Sequence, residues 1–303
     1  MPDIKHIVKI WEKGGVEDYI SSLLATEIDN QQVIVCSQFS FFKKIKNYSN
    51  QLHVFHTPSY ILPILFLKLN KVPYKVILHN EPFRGHLLKD IYFLLLFIFH
   101  SVLRSKIFVW TKSMKNTLNM FFTNVDVLPM FDQKASMPIT YNNDKNIIFV
   151  ARNDPQKNIQ LLKDIACDND DFIFNVYGSG FSDNSFEMHK NINYRGYIKD
   201  KNLIYKNGIL LCTSNYEGGP LVSLEALSYG IPVITTKVGV FSNMDINVTD
   251  IDFINVFKTK NDANKVIDLY RKKENFSTDS NKQFLTKNFL NPSQAVYKIL
   301  NKK

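Results

Sequence analysis

Two glutamates, Glu217 and Glu225, stand eight positions apart in NYEGGPLVSLEALSYGIPVI, the stretch from Asn215 to Ile234. The string reads as a tight loop after an apolar strand, followed by a helix. Gly218 and Gly219 let the backbone approach a ligand, Pro220 suits the first helical turn, and Gly230 can close the helix. The amino end of such a helix favours phosphate, because its unpaired N–H groups and the helix dipole both attract negative charge. Carboxylates accept hydrogen bonds from sugar hydroxyls, so one glutamate at the mouth of a pocket and one deeper could grip a sugar. A helix cap plus a solvated glutamate is the plain alternative.

A second constellation, FVARNDPQKN at 149–158, places Arg152 five residues before Lys157, just after a strand. A guanidinium fork and an ammonium point charge there could converge on one diphosphate. Two solvated loop cations are the competing reading. Asp168-Asn169-Asp170 spells the D-x-D with which metal-dependent transferases hold Mn²⁺, but it lies between a helix and a strand, where a polar turn is expected. No other ligands accompany it, so no metal site and no cofactor is expected.

These groups need a frame. Apolar runs rich in β-branched residues alternate with helical patterns: IKHIVKI at 4–10, QVIVCS at 32–37, LHVFH at 52–56, YKVILH at 74–79, KIFVW at 106–110 and VDVLP at 125–129. A second series starts afresh with NIIFV at 146–150 and runs through FIFNVYG, INYRG, GILLCTS, PVITT and DFINV at 252–256. Between the series lies the polar, turn-rich DQKASMPITYNNDK at 132–145, the expected linker. The predicted class is α/β, with two doubly wound parallel domains facing a central cleft, where ligands sit beyond the carboxyl ends of the strands. The expected bounds are 1–135 for the first domain and 136–288 for the second, with a terminal helix over 289–303, opened by Asn291 and Pro292, that packs back on the first domain.

The Glu217 stretch resembles glycosyltransferase family 4, whose signature E-G-x-P-x-x-x-x-E-A-x-x-x-G-x-P-V it matches at nearly every fixed position. The resemblance is strong from about residue 146 to 240 and thins on either side. It implies the GT-B fold, two Rossmann-like domains, and transfer of a sugar from a nucleotide-diphosphate sugar with retained anomeric configuration and no metal. By the same resemblance Glu217 contacts the transferred sugar, Glu225 the ribose hydroxyls, and the backbone around Gly219, Pro220 and Leu221 the sugar and diphosphate, with Gly218 in the same loop. Arg152 and Lys157 match the family's G-R-L-x-x-x-K-G, with Ala151 and Asn158 in place of its glycines.

Further segments carry weaker likeness. VYGSGF, with Gly178 and Ser179, is similar to the family's turn after the second strand, and RGYI, with Tyr197 and Ile198, to the segment whose backbone reads the base. Gly14-Gly15-Val16-Glu17 resembles the family's G-G-x-E loop facing the donor phosphates. His79 ends the strand YKVILH, where the family often has a histidine at the reaction centre. It is expected to orient the acceptor or stabilise the transition state, with His56 a weaker candidate. Bare turns and a structural histidine are the alternatives. The catalytic set expected is Glu217, His79, Arg152 and Lys157. Attack by the acceptor on the face the diphosphate leaves is favoured over a covalent glycosyl-Glu217. After the linker strand the family's P-N-G-V-D is here Pro129-Met130-Phe131-Asp132, which leaves the acceptor side less defined.

Composition narrows the partners. The chain has 303 residues and a formal net charge of +9, so its partners are anionic. Between Phe41 and Lys115 twelve Lys or Arg face only Glu81 and Asp90. No nucleic-acid module accompanies that excess, so nucleic acid is not an expected partner. SFFKKIKNY at 40–48 and the uncharged run at 91–103, too short to span a bilayer, suit an anionic membrane surface and a glycan or lipid-linked glycan acceptor. A solvated helix over a buried aromatic stripe reads equally well. Three separated cysteines and a start without a long apolar run point to the cytoplasm, on the inner face of the cytoplasmic membrane. Bacterial surface polysaccharide synthesis is the expected setting. A catalytically silent glycosyltransferase-like subunit and a nucleotide-sugar epimerase of the same fold are the rival readings.

Overall fold

Each apolar run of the first series becomes a short strand; the four inner ones are mostly buried, as a parallel sheet covered by helices on both faces requires, and the two edge strands less so. In chain order these are β1 (Asp3–Val8), β2 (Gln31–Val35), β3 (Gln51–Phe55), β4 (Tyr74–Leu78), β5 (Ile107–Val109) and β6 (Val125–Val127). Between them run α1 (Gly15–Leu24), the single turn α2 (Phe41–Lys44), α3 (Ile61–Leu69), α4 (Leu87–Val102) and α5 (Lys112–Asn119). The six strands are ordered β2-β1-β3-β4-β5-β6 with every neighbour parallel, so the winding reverses between β1 and β3. This computed structural model describes residues 3–9, 15–28, 30–45, 48–80, 87–121, 124–131, 144–242, 254–272 and 279–301. Gly14, Lys46, Glu81 and residues 132–143 of the expected linker lie outside the described residues.

The second series forms β7 (Asn146–Val150), β8 (Ile173–Tyr177), β9 (Ile192–Tyr194), β10 (Ile209–Cys212), β11 (Val233–Thr236) and β12 (Ile254–Phe257). Its helices are α6 (Ile159–Asp168), α7 (Lys201–Ile204), α8 (Leu221–Ser228), α9 (Lys260–Arg271) and α10 (Asp279–Asn288). The sheet order is β12-β11-β10-β7-β8-β9, again all parallel, with the reversal between β7 and β10. Phe149, Phe174, Val176, Leu211 and Phe257 from the strands pack with Leu162, Ile165, Ile267 and Tyr270 from α6 and α9 in one core. Burial of each such side chain stabilises the unit by roughly 1.5–3 kcal/mol. Helix starts are set locally: Thr259 and Asp262 satisfy each other's backbone N–H groups at the head of α9.

The chain divides into two compact units, Met1–Asp132 with Phe289–Lys303, and Gln133–Asn288. The final segment joins the first unit through α11 (Pro292–Asn301), which lies against α1 and buries Ala295, Val296 and Ile299. Asn291 opens it: the Gln294 N–H donates to Asn291 Oδ1 at 2.9 Å, and the Asn291 N–H donates to Gln294 Oε1 at 3.1 Å. Just before it, Leu290 N–H donates to Pro129 O and Leu290 O accepts from Phe131 N–H, a short parallel bridge.

The greasy run of the first unit is half covered. Leu96, Phe97 and His100 of α4 are buried, whereas Leu88, Leu95 and Val102 are 82%, 61% and 77% exposed. No described helix is long and apolar enough to cross a membrane. In the basic aromatic segment Phe41 is buried against Phe55 and His53, Phe39 and Phe42 are exposed, and Lys44 Nζ donates to Val35 O.

Candidate functional site

A doubly wound sheet opens a crevice beyond its strand ends where the winding reverses. In the second unit that point lies between β7 and β10, and the loops that follow these two strands carry Arg152, Lys157 and Glu217. The Lys157 Nζ donates to Glu217 Oε1 at 2.5 Å, and Ser214 Oγ donates to the same oxygen at 2.8 Å. Glu217 is buried, at 6% exposure, and the Lys157 ammonium closes over it. A buried carboxylate without such donors would carry a large desolvation cost. Arg152, by contrast, is exposed and makes no hydrogen bond or ion pair among the described residues, so Arg152 and Lys157 do not share a partner here.

The two loops are stitched together. Gln156 Nε2 donates to Tyr216 O, Asn215 N to Gln156 O, Asn215 Nδ2 to Pro155 O, and Thr213 Oγ1 to Lys157 O. Asn158 explains one departure from the family pattern. Its φ is 48°, in the left-handed region that asparagine tolerates better than other side chains, so the glycine-like turn survives. Its Oδ1 also caps α6 by accepting from Leu161 N–H, and its Nδ2 donates to Asn215 Oδ1.

Two neighbouring glycines, Gly178 and Gly239, leave no room for a side chain. A Cβ on Gly178, after β8, would sit 1.8 Å from Ala151 O. Beyond it, Ser179 O accepts from Asn153 N–H, and Gly178 N–H donates to Gly196 O two residues before Ile198. After β11, Gly239 has φ 54° and a Cβ there would lie 2.9 Å from Gly218 O and 3.0 Å from Pro220 Cδ. The loop bearing Glu217 is thus braced from behind by a position that only glycine fills without strain. Tyr197 is exposed and Ile198 half-buried beside these turns.

Glu225 has its own cation. Lys201 Nζ donates to both carboxylate oxygens, at 3.0 and 2.8 Å, and Tyr205 OH donates to Oε2 at 3.1 Å. Each of the two glutamates therefore has a lysine. Lys201, Tyr205 and Ser214 were not singled out from sequence: the first two stand 24 and 20 positions from Glu225, and no spacing rule links a polar loop to a helix face at that range.

The amino end of α8 is partly occupied. Leu221 N–H donates to Gly219 O, and Ser223 and Leu224 N–H both donate to Pro220 O. Pro220 has no N–H to offer. Among the described residues the N–H groups left without a partner in this stretch are those of Gly218, Gly219 and Val222, so any amide cradle is built from these rather than from Leu221. The helix closes at Gly230, with Ile231 N–H returning to Ala226 O.

In the first unit the reversal between β1 and β3 is marked by histidines. His79 Nε2 lies 2.9 Å from His56 Nδ1, and His56 Nε2 lies 3.0 Å from His6 Nδ1. Burial holds all three below the ordinary imidazole value, His6 and His79 at about 4, and at His56 the histidine neighbours add to the effect of burial. The Tyr19 ring stands edge-on to His79 at 5.0 Å and its hydroxyl, buried, is pushed up in pKa. Gly15 begins α1, the helix that carries Tyr19.

Asp168 of the D-x-D, and Asp171 just beyond it, are engaged by cations around the turn. Lys260 and Asn264 hold the Asp168 carboxylate, and Arg271 and Lys145 hold that of Asp171, which lowers both pKa values. Among the described residues no group of three His, Cys, Asp or Glu side chains could hold a metal ion.

The sequence profile described as "Glycosyl transferases group 1" matches residues 132–281. An uncharacterized 41.2 kDa protein in the cps region of Klebsiella pneumoniae is 29% identical over 168 residues, 50% of this chain and 46% of that protein. The chain thus spans about half the length of the curated relative it matches. Anabaena Alr3699/HepE, solved with UDP and glucose, superposes with a TM-score of 0.77 at 11% identity, covering 99% of this chain and 98% of that one. A point mutant of S. aureus TarM, solved with fondaparinux, alpha-GlcNAc-glycerol and UDP, gives 0.70 at 16% identity over 87% of this chain and 57% of that one. The α/β fold is GT-B, and its segment 132–281 is similar to the glycosyl transferases of group 1.

Proposed function

We propose that this chain is a retaining, metal-independent glycosyltransferase that moves a sugar from a nucleotide-diphosphate sugar to a glycan or lipid-linked glycan in surface polysaccharide synthesis. One observation carries the reading: at the winding reversal of the second sheet a buried carboxylate is paired with an ammonium beside backbone N–H groups that have no partner among the described residues. The relative in a cps region and the neighbours solved with UDP support the donor class and the setting.

In this reading Glu217 takes the transferred sugar and Glu225 the ribose, each held in one rotamer by its lysine. Gly14, Gly15, Gly178, Ser179, Tyr197, Ile198, Pro220 and Leu221 complete the donor side. The diphosphate sits on the N–H groups of Gly218, Gly219 and Val222, with Lys157 and the uncommitted Arg152 neutralising charge as the bond to the sugar breaks. Such a site acts by positioning and electrostatics, which suits attack by the acceptor on the face the diphosphate leaves. His79 serves the acceptor side from the first unit. Peripheral attachment to an anionic membrane rests on the exposed apolar residues of α4 and on Phe39 and Phe42 beside Lys43.

The test is a thermal-shift screen over common nucleotide sugars, followed by NMR of the product anomer with a glycan acceptor. Stabilisation by one donor and a product of unchanged anomeric configuration are expected. Absence of both binding and donor turnover overturns the reading in favour of a silent subunit, and a released sugar altered at another carbon without acceptor overturns it in favour of an epimerase.

A further inference from the structure

The three histidines of the first unit are the end of a longer chain whose direction is set by one amide. Gln31 Nε2 faces acceptors only: Leu23 O at 2.8 Å, Thr26 Oγ1 at 3.0 Å and Ile28 O at 3.3 Å. The Thr26 hydroxyl spends its own proton on Leu23 O, so its oxygen is left to accept. Gln31 Oε1 therefore points the other way, at His6 Nε2, 3.1 Å distant. A carbonyl oxygen can only accept, so His6 must carry its proton on Nε2.

A neutral imidazole has one N–H and one lone pair, so each ring passes the constraint on. His6 Nδ1 is then an acceptor, and His56 Nε2, 3.0 Å away, must be the donor. His56 Nδ1 is left with its lone pair, and His79 Nε2, 2.9 Å away, must donate to it. His79 Nδ1, which has no partner among the described residues, is left as a bare acceptor. Neutrality is what makes the logic hold. His6 and His56 are buried and His79 half-buried, and burial in apolar surroundings opposes a charged ring.

We infer that Gln31, His6 and His56 are positioning residues that lock His79 in its Nε2–H tautomer and so present Nδ1 as a hydrogen-bond acceptor to the acceptor hydroxyl. This rests on the placement of His79 on the acceptor side proposed above, and it decides between the two roles open to that residue. An Nδ1 lone pair can receive and orient a hydroxyl, but it cannot donate to the departing diphosphate. The chain orients and does not conduct. A proton entering at His79 Nδ1 and passed inward would have to end on the Gln31 amide oxygen, which is far too weak a base to keep it.

The experiment is nitrogen NMR of the full chain, ¹⁵N-labelled at histidine, at neutral pH, with signals assigned by single His→Gln substitutions. Expected are neutral rings protonated at Nε2 for His6, His56 and His79. A proton on Nδ1 of any of them, or a cationic ring, overturns the inference, and this holds without any Gln31 variant. Gln31→Glu supplies the second arm. Its carboxylate draws a second proton onto His6, which then donates from Nδ1 and reverses the order, so that His56 and His79 become Nδ1–H. The expected companion effect is a fall in kcat of ~10-fold or more with the donor Kd unchanged. An unchanged His79 spectrum in the folded Gln31→Glu variant overturns the chain. A reversed tautomer with unchanged kcat upholds the chain and overturns instead the assignment of His79 to the acceptor.

Discussion

Lys157 and Glu217 share one ion pair, 2.5 Å from Nζ to Oε1, and in doing so join the loop after β7 to the loop after β10. The pair has a structural and a proposed chemical side, and two substitutions separate them. Glu217→Gln keeps an oxygen for Ser214 and removes only the charge, so stability should change by less than about 1 kcal/mol. Transfer should nonetheless fall by roughly 100-fold or more, if the carboxylate acts on the sugar. Lys157→Met leaves the carboxylate buried with a single hydroxyl donor and should cost about 1–3 kcal/mol in urea denaturation as well as activity. A fully active Glu217→Gln would exclude the carboxylate from the chemistry.

The second glutamate is read by nucleotide affinity. Glu225→Ala should weaken binding of a nucleoside diphosphate by about 10- to 100-fold in calorimetry, the worth of hydrogen bonds to a charged group. Lys201→Met, which removes the ammonium donating to both Glu225 oxygens, should weaken it less, by loss of orientation only. Equal, wild-type affinity in both variants would place the ribose elsewhere.

Gly178→Ala and Gly239→Ala probe the bracing of the site. A Cβ at 178 meets Ala151 O at 1.8 Å, too close for any small adjustment, so that variant should lose at least about 2 kcal/mol. At Gly239 the contact to Gly218 O is 2.9 Å at a φ of 54°, and the expected loss is smaller, about 1–2 kcal/mol, with a raised donor KM because the Glu217 loop must give way. A Gly239→Ala variant with unchanged KM would show that the loop does not need its brace.

Acid should undo the first unit before the second. His6 and His79 titrate at about 4 in the folded chain, because burial disfavours their charge, and near 6.5 when unfolded. Between these values the unfolded state holds protons the folded state lacks, so stability is complete above about pH 7 and falls as pH drops from roughly 6.5 towards 4. For His6 alone the loss is on the order of 3 kcal/mol. Asp171, held low by Arg271, acts in a lower window, losing its contribution only as pH falls below the ordinary carboxylate range. Denaturant midpoints followed at pH 7.5, 6 and 5 test this, and a flat profile over that range would contradict it.

The exposed stripe of α4 sets a fifth expectation. Leu88→Ser with Leu95→Ser should abolish flotation with vesicles rich in anionic lipid while leaving the far-UV spectrum intact, since both side chains face solvent. Undiminished flotation would move any membrane contact to another surface.

Much of the frame was legible because parallel strands buried on both faces are written as unbroken apolar runs, such as the IIFV of β7 and the IFV of β5. Glu217 and Glu225 were visible as a spacing within one loop and helix. Their lysine and tyrosine partners were not, because Lys201 and Tyr205 meet Glu225 only through the fold of the sheet. The histidine chain was hidden for the same reason: His6, His56 and His79 lie on or just after three different strands, and only the parallel register brings their rings in line. Asn158 showed in the sequence only as a departure from the family's glycine, and its positive φ became visible only in the fold. The amide ledger of α8 could not be read either, because Leu221 N–H is claimed by Gly219 O through a local turn that no side chain announces.

The return of Phe289–Lys303 to the first unit makes the second unit an insertion within it. During synthesis α1 therefore waits, its apolar side uncovered, until more than 150 intervening residues have emerged and α11 can dock. Folding of the first unit is completed after that of the second, although it begins earlier. Chaperone dependence and proteolytic vulnerability of the nascent chain should accordingly concentrate on the first unit, and cutting the connection near Asn288 would disable the half of the molecule that lies farther away in sequence.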